Sequence, residues 1–233
     1  MLKIFTDNRF KKNIGKFKSG YTLLSLRARV MLADKILYIL IISLLGIFRP
    51  DAFMLVVYFL IYLYLYLTFR EDGFYHLYLS TFIAVIWVIL ANDYYGYNTK
   101  MFTIFGLNSF PLFAWSAGLF GAYFLFSNFE RYIKGNFLKK LALFSIFYWI
   151  ALITVETIGY HYFNIQNITT AVYQGLPFCN CIHAPSWMQL SYFLMGPLYF
   201  TLCKTLKLTN PHENLHLPKE SCKDKNQKIN LEK

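Results

Sequence analysis

The feature that most constrains this chain is a succession of apolar runs, each about as long as a bilayer core is thick, separated by short charged or polar breaks. A run of about 20 apolar residues crosses the hydrocarbon as a helix. In that solvent a helix satisfies its backbone hydrogen bonds internally, which an isolated strand cannot do. Six runs are read as spans, at 31–48, 52–69, 74–92, 102–127, 141–162 and 186–203. The expected fold is therefore all-α, a polytopic integral membrane protein of about six transmembrane helices. Its expected organisation is a basic cytoplasmic leader at 1–30, a six-helix membrane domain at 31–208 and a disordered cytoplasmic tail at 209–233. The first run carries Asp34 and Lys35 near its start, and Arg49-Pro50-Asp51 ends it in a turn, since proline cannot continue a helix. Composition agrees: 57% of residues are hydrophobic and 15% charged, against roughly 25% charged in soluble domains. A soluble, disordered, collagenous or disulfide-scaffold protein is excluded.

The charges are distributed unevenly around these spans. Of 23 Lys and Arg, 21 fall within residues 1–35, at Arg70, in the 128–140 loop and within residues 204–233, leaving Arg49 and Lys100 for the other face. The positive-inside rule then places both termini in the cytoplasm of a multi-pass cell-membrane protein. The net charge of +11 reads as an orientation signal, with attraction to anionic lipid added and no nucleic-acid partner. No cleavable signal peptide is expected, because about thirty polar and basic residues precede the first apolar run. The stretch Phe5 to Tyr21 reads either as a basic amphipathic segment on the inner leaflet or as a solvated leader.

Glu156 is the most informative residue. From Leu141 to Cys203 it is the only Asp, Glu, Lys or Arg, and it lies about six residues, roughly 9 Å, below the outer end of its span. Acids inside membranes are costly and commonly functional. The functional reading is a proton donor or polar substrate contact; the competing one is a helix-to-helix hydrogen bond. Asp93, at the outer end of its own span, reads either as a helix-end carboxylate in water or as the partner of Glu156, the two dividing acid and base roles. Tyr160 shares the helix face of Glu156 and is placed to hydrogen-bond it, while His161 lies nearer the surface. His76, about 25 Å from Asp93 along one helix, reads as structural.

Two segments match at an offset of 63 residues: Trp87, Asp93, Gly96 and Tyr97 against Trp149, Glu156, Gly159 and Tyr160, with Trp87 alone one residue out of phase. They suggest a duplicated helical hairpin, a parallel repeat about the membrane normal. In the second outer loop, Cys179, Cys181 and His183 alternate along the chain. In an extended strand all three would face one side, a soft set for Cu(I) or zinc. The alternatives are disulfide chemistry in an oxidising compartment and ordinary packing. The 24 Phe and 19 Tyr, dense at Tyr58 to Phe69, read either as a flat wall for a long unsaturated lipid or as compositional bias. No phosphate loop, HExxH, histidine-box or GxSxG motif is present, and no cofactor is expected.

From Trp87 to Trp115, the order Asp93, Gly96, Gly106 and Pro111 followed by an aromatic helix resembles one repeat of the transmembrane carotenoid-biosynthesis proteins, the lycopene cyclase domain and the related carotenoid hydratases. The second copy, Glu156, Gly159, Pro185 and Trp187, is similar. The resemblance implies cofactor-free acid–base chemistry on a long polyene, with Asp93 and Glu156 as the acids. Cyclase domains carry Pro-x-Glu-Glu, whereas Pro111 is followed here by Leu112, Phe113 and Ala114. The functional expectation is a membrane enzyme or binder acting on a long lipid or isoprenoid, its partners being membrane lipid and a hydrophobic small molecule. The alternatives are a small proton- or cation-coupled transporter subunit and a non-catalytic assembly protein.

Overall fold

The computed structural model describes residues 49–212. The leader, the first expected span at 31–48 and the tail beyond 212 lie outside the described residues. Within them run α1 (Pro50–Leu67), α2 (Glu71–Ala91), a 3-10 turn (Asn92–Tyr94), strands β1 (Thr103–Ile104) and β2 (Leu107–Asn108), α3 (Ser109–Glu130), α4 (Phe137–His161) and α5 (Ser186–Thr205). The described chain is dominated by helix, as expected.

Local chemistry sets the helix ends. Pro50 occupies the first turn of α1, where its missing N–H is not needed. Asp51 is fully buried rather than solvated. Its carboxylate takes a two-pronged bond from the Arg49 guanidinium at 3.1 and 3.0 Å and a backbone N–H from Phe102 at 2.9 Å, pinning the start of α1 to the loop that follows α2. Asn108 caps α3 by accepting the Phe110 N–H at 3.1 Å, and Asn136 caps α4 by accepting the Lys139 N–H at 3.1 Å.

The expected span at 102–127 is corrected here: α3 starts only at Ser109. Thr103 pairs with Asn108 and Ile104 with Leu107 in a hairpin whose turn residues, Phe105 and Gly106, both lie in the left-handed region, with φ of 51° and 80°. Two consecutive positive φ values form the tight turn favoured between antiparallel strands. The apolar content of Met101 to Leu107 is thus spent on a hairpin.

Among the described residues four helical stretches are long and apolar enough to cross a membrane: Pro50–Leu67, Glu71–Tyr94, Ser109–Glu130 and Phe137–His161. They correspond to the second to fifth expected spans. The sixth, realised as α5, has the length at 20 residues, but Ser186, Gln189, Ser191, Gly196, Pro197 and its tyrosines dilute its apolar character. Its buried face explains the difference, since Met188, Tyr192, Met195, Tyr199 and Phe200 pack inward.

Helices α2 and α3 form the centre, with α1 against α3, α4 against α5, and α5 against α2. The core is aromatic, with Trp87, Trp115, Tyr123, Phe144, Tyr199 and Phe200 buried in one cluster. Phe59, Phe82, Leu90, Ile150 and Val155 point outward and are exposed. An apolar exterior on apolar helices is the arrangement hydrocarbon favours and water penalises. Small residues bring helices close: a Cβ on Gly196 of α5 would collide with the Tyr148 ring of α4.

The connections gather at two ends. At the loop pole, residues 92–108 and 162–185 are laced together. Tyr97 bridges Asn167, the Asn98 N–H donates to the Gln166 carbonyl at 3.0 Å, and the Ile168 N–H donates to Gly96 at 2.7 Å. The Asn167 side chain accepts the Gly96 N–H and donates to the Tyr94 carbonyl at 2.7 Å. At the basic pole, residues 209–212, expected to begin a disordered tail, instead pack on the helix ends. His76 Nε2 donates to the Thr209 carbonyl at 2.8 Å, Asn210 donates to Ser127 at 3.0 Å, and Arg70 donates to Pro211 at 2.9 Å. The two matched segments differ in backbone, since Glu156 to Tyr160 are helical while Asp93 to Tyr97 leave the helix through the 3-10 turn.

Candidate functional site

Beneath the laced loops lies a closed group of aromatic hydroxyls and indoles. Tyr95, carried one residue past the 3-10 turn, accepts N–H bonds from Trp87 at 2.7 Å and Trp115 at 3.0 Å. With both oxygen lone pairs engaged, its own proton is left to donate to Tyr192, 3.2 Å away. Tyr148 donates to the Tyr192 carbonyl at 2.8 Å, linking α4 to α5. The Tyr97 ring stacks on Tyr95 with centroids 6.1 Å apart. Burial pushes the Tyr95 hydroxyl up to about 12, opposed by its bonds to Tyr192, Trp87 and Trp115 and increased by the Glu156 carboxylate. Tyr97 is raised well above the usual phenol range by burial, by Tyr95 and by Glu156. These hydroxyls are fixed donors and acceptors, unsuited to losing a proton near neutral pH.

Glu156 lies on α4, five residues before His161 ends that helix, a depth of about 7.5 Å. It lies within electrostatic reach of Tyr95 and Tyr97. Among the described residues no side chain or backbone group makes a hydrogen bond or ion pair with its carboxyl. Its flank is open: Val155 is 68% and Ile158 40% exposed, and a Cβ on Gly159, one turn away, would meet nothing within 4 Å. A half-buried carboxyl on an apolar helix with an open flank keeps its bonding capacity for a ligand or a proton.

The remaining expected site residues take other places. Asp93 is exposed on the 3-10 turn and has no contact with Glu156. The helix of α2 ends just before it, so the pair of carboxylates does not share a buried face. Tyr160 stacks on His183, centroids 5.0 Å apart, instead of hydrogen-bonding Glu156. His161 Nε2 donates to the Cys179 carbonyl at 2.8 Å. Cys179 and Cys181 are joined in a disulfide, which takes both sulfurs from the metal set drawn with His183. Among the described residues no group of three His, Cys, Asp or Glu side chains could hold a metal. The loop is not an extended strand, because Asn180 and Ile182 adopt φ of 44° and 54°.

No family model, curated protein or solved structure matches the chain.

A second polar group, unforeseen in the sequence, sits at the basic pole. Glu130, 4% exposed at the end of α3, pairs with Lys204 of α5 and, at 3.6 Å, with Lys140 of α4. Tyr123 donates to Glu130 at 3.2 Å and accepts from Lys204 at 3.1 Å. Beside it the His76 ring stacks on Tyr123, centroids 4.9 Å apart, with Nδ1 3.4 Å from the Cys203 sulfur. Every member has a partner on another segment, so the group locks helix ends together. Neither it nor the Tyr95 group has a local sequence signature, because their partners are far apart in the chain.

Proposed function

We propose that this is a multi-pass membrane protein with both termini in the cytoplasm, and that it binds a long lipid or isoprenoid along α4 near the outer leaflet, with Glu156 as the polar contact. The observation that carries the reading is the uncommitted Glu156 carboxyl in an apolar, open helix flank. A prenyl chain or polyene fits such a site, since its hydrocarbon would lie along the open face of Gly159, Val155 and Ile158 while a polar end or a reacting double bond meets the acid. The resemblance to carotenoid-biosynthesis proteins is what favours a polyene among long lipids. For such a substrate Glu156 would supply the proton, and the fixed Tyr95, Tyr97 and Tyr192 rings would form the wall along which a developing positive charge is stabilised. Asp93, out on the turn, would act only on a substrate group that projects into the loops.

The orientation is supported by the described cations. Arg70, Arg131, Lys134, Lys139, Lys140, Lys204 and Lys207 lie at the basic pole, against Arg49 and Lys100 at the loop pole, and the cationic side faces the cytoplasm. In a six-span arrangement the hairpins ending at Asp93 and near Glu156 both turn at the outer face.

The test is the lipid that accompanies the protein. The full chain and Glu156→Gln are purified in mild detergent and their extracts compared by mass spectrometry. A specific prenyl or polyene species is expected with the wild-type chain, reduced about tenfold in the variant, the equivalent of about 1.4 kcal/mol of lost contact. The same bulk phospholipid in both would overturn the reading. Proton-coupled uptake into liposomes abolished by Glu156→Gln, without a specific lipid, would replace it with transport.

A further inference from the structure

The cystine of the outer loop serves no evident stabilising purpose. Cys179 and Cys181 are two residues apart, so their bond closes a minimal ring and removes little freedom from the unfolded chain. The loop holds its shape by other means. Leu176 N–H donates to the Cys181 carbonyl at 2.9 Å, and the Asn180 N–H donates to Leu176 at 2.8 Å. His183 is fixed by the Tyr173 and Asn180 carbonyls, at 2.9 and 3.1 Å, and by the Tyr160 ring. Gly175 is packed so tightly that a Cβ would stand 2.9 Å from His183 Nε2 and 3.0 Å from the Cys181 carbonyl.

Within this scaffold the backbone on both sides of Cys181 is held in the left-handed region, at Asn180 (φ 44°) and Ile182 (φ 54°). That region is sparsely occupied by side-chain-bearing residues and disfavoured above all for a β-branched one; such strain persists only where surrounding structure enforces it, and it gathers at functional sites. The two sulfurs are also unequal. Cys181 is fully buried, with Thr157 Oγ1 3.7 Å from its sulfur. Cys179 is part-exposed and follows Phe178, which is 91% exposed.

We propose that Cys179 and Cys181 are a redox-active dithiol–disulfide couple at the loop pole, exchanging with the dithiol of a partner protein that docks on Phe178. A partner thiolate attacks the Cys179 sulfur. The Cys179–Cys181 bond breaks, and its electron pair leaves on Cys181, whose sulfur is protonated beside Thr157. The second partner thiolate then attacks the partner's own sulfur in the mixed disulfide and releases Cys179, which is protonated in turn. Two electrons and two protons pass from the partner dithiol to the chain, and the partner becomes a disulfide. Exchange rates follow access and the identity of the sulfur attacked, so the part-exposed Cys179 is the attacked atom and the buried Cys181 the leaving one.

The test uses the full chain in detergent micelles and a synthetic peptide carrying a Cys-x-x-Cys dithiol. Under native conditions one equivalent of peptide is expected to be oxidised per chain, with two new alkylatable thiols mapping to Cys179 and Cys181. With the oxidised peptide, Cys181→Ser is expected to hold about tenfold more mixed disulfide than Cys179→Ser, because only the first leaves an accessible thiol. The double variant Cys179→Ser/Cys181→Ser is expected to melt with the wild-type chain. A bond that opens only after unfolding, equal trapping by the two single variants, or a clearly lower melting point for the double variant would each overturn the proposal and leave the cystine structural.

Discussion

His212 shows how a single ring is assigned by its neighbours. Arg70 Nη1 stands 2.7 Å from Nδ1, and since arginine only donates, Nδ1 is the acceptor. Nε2 therefore carries the proton and donates to the Phe124 carbonyl at 3.0 Å. Burial lowers the His212 pKa below its usual 6.5, the Phe124 carbonyl opposes this, and the Arg70 and Arg131 charges reinforce it. A proton added at Nδ1 would face the Arg70 N–H. Because the folded value is the depressed one, the contribution is fully present above pH 6.5 and is lost as pH falls through the folded value. Protection factors at residues 210–212, corrected for the intrinsic pH dependence of amide exchange, should therefore be high near neutral pH and fall once acid has protonated the ring. His212→Ala should show low protection in both conditions. At this scale the sequence was informative where a residue stood alone. Glu156 was visible as the one charge in a long apolar stretch. Tyr95 was one tyrosine among nineteen, and only its two indole donors and its contact with Tyr192, 97 residues away, distinguish it.

Among the elements, the contact of α4 with α5 depends most on a small residue. Gly196 lets the Tyr148 ring lie against the α5 backbone, and the Tyr148 hydroxyl reaches the Tyr192 carbonyl only at that separation. Gly196→Ala places a methyl group where the ring now sits. The expected cost is about 1–3 kcal/mol, as for other overpacked interfaces, read as a lower melting temperature in detergent by size-exclusion chromatography of heated samples. Cys203 alkylation should rise in step, since α5 carries that buried thiol. Helix existence was legible from the apolar runs, whereas their limits were not. The start of α3 shifted from 102 to Ser109 because Phe105-Gly106 makes a hairpin turn. The helix α4 begins before 141, at Phe137, because Asn136 offers a cap. Turn and cap geometry depend on single dihedrals, which a hydropathy window averages away.

For the whole molecule, the segregation of cations to one pole carries a directional prediction. Cysteines introduced singly at Lys100 and Lys134, in a chain whose four native cysteines are serine, should react from opposite sides of the membrane. A membrane-impermeant maleimide added to intact cells should label Lys100→Cys, and Lys134→Cys only after the membrane is opened. Labelling of the two in the reverse order would invert the orientation. The sequence by itself determined that this chain is a helical membrane protein and that its cations are sided, because both follow from the solvent each segment requires and need no knowledge of which helices touch. It also isolated Glu156, since a charge among apolar residues is conspicuous without neighbours. Only the tertiary structure decided what surrounds that charge. It put Tyr95 and Tyr97 within electrostatic reach of Glu156, left Asp93 on an exposed turn, bonded Cys179 to Cys181 and tied Glu130 to Lys204. These depend on side chains meeting across helices and loops, where a contact is specified by packing and not by distance along the chain.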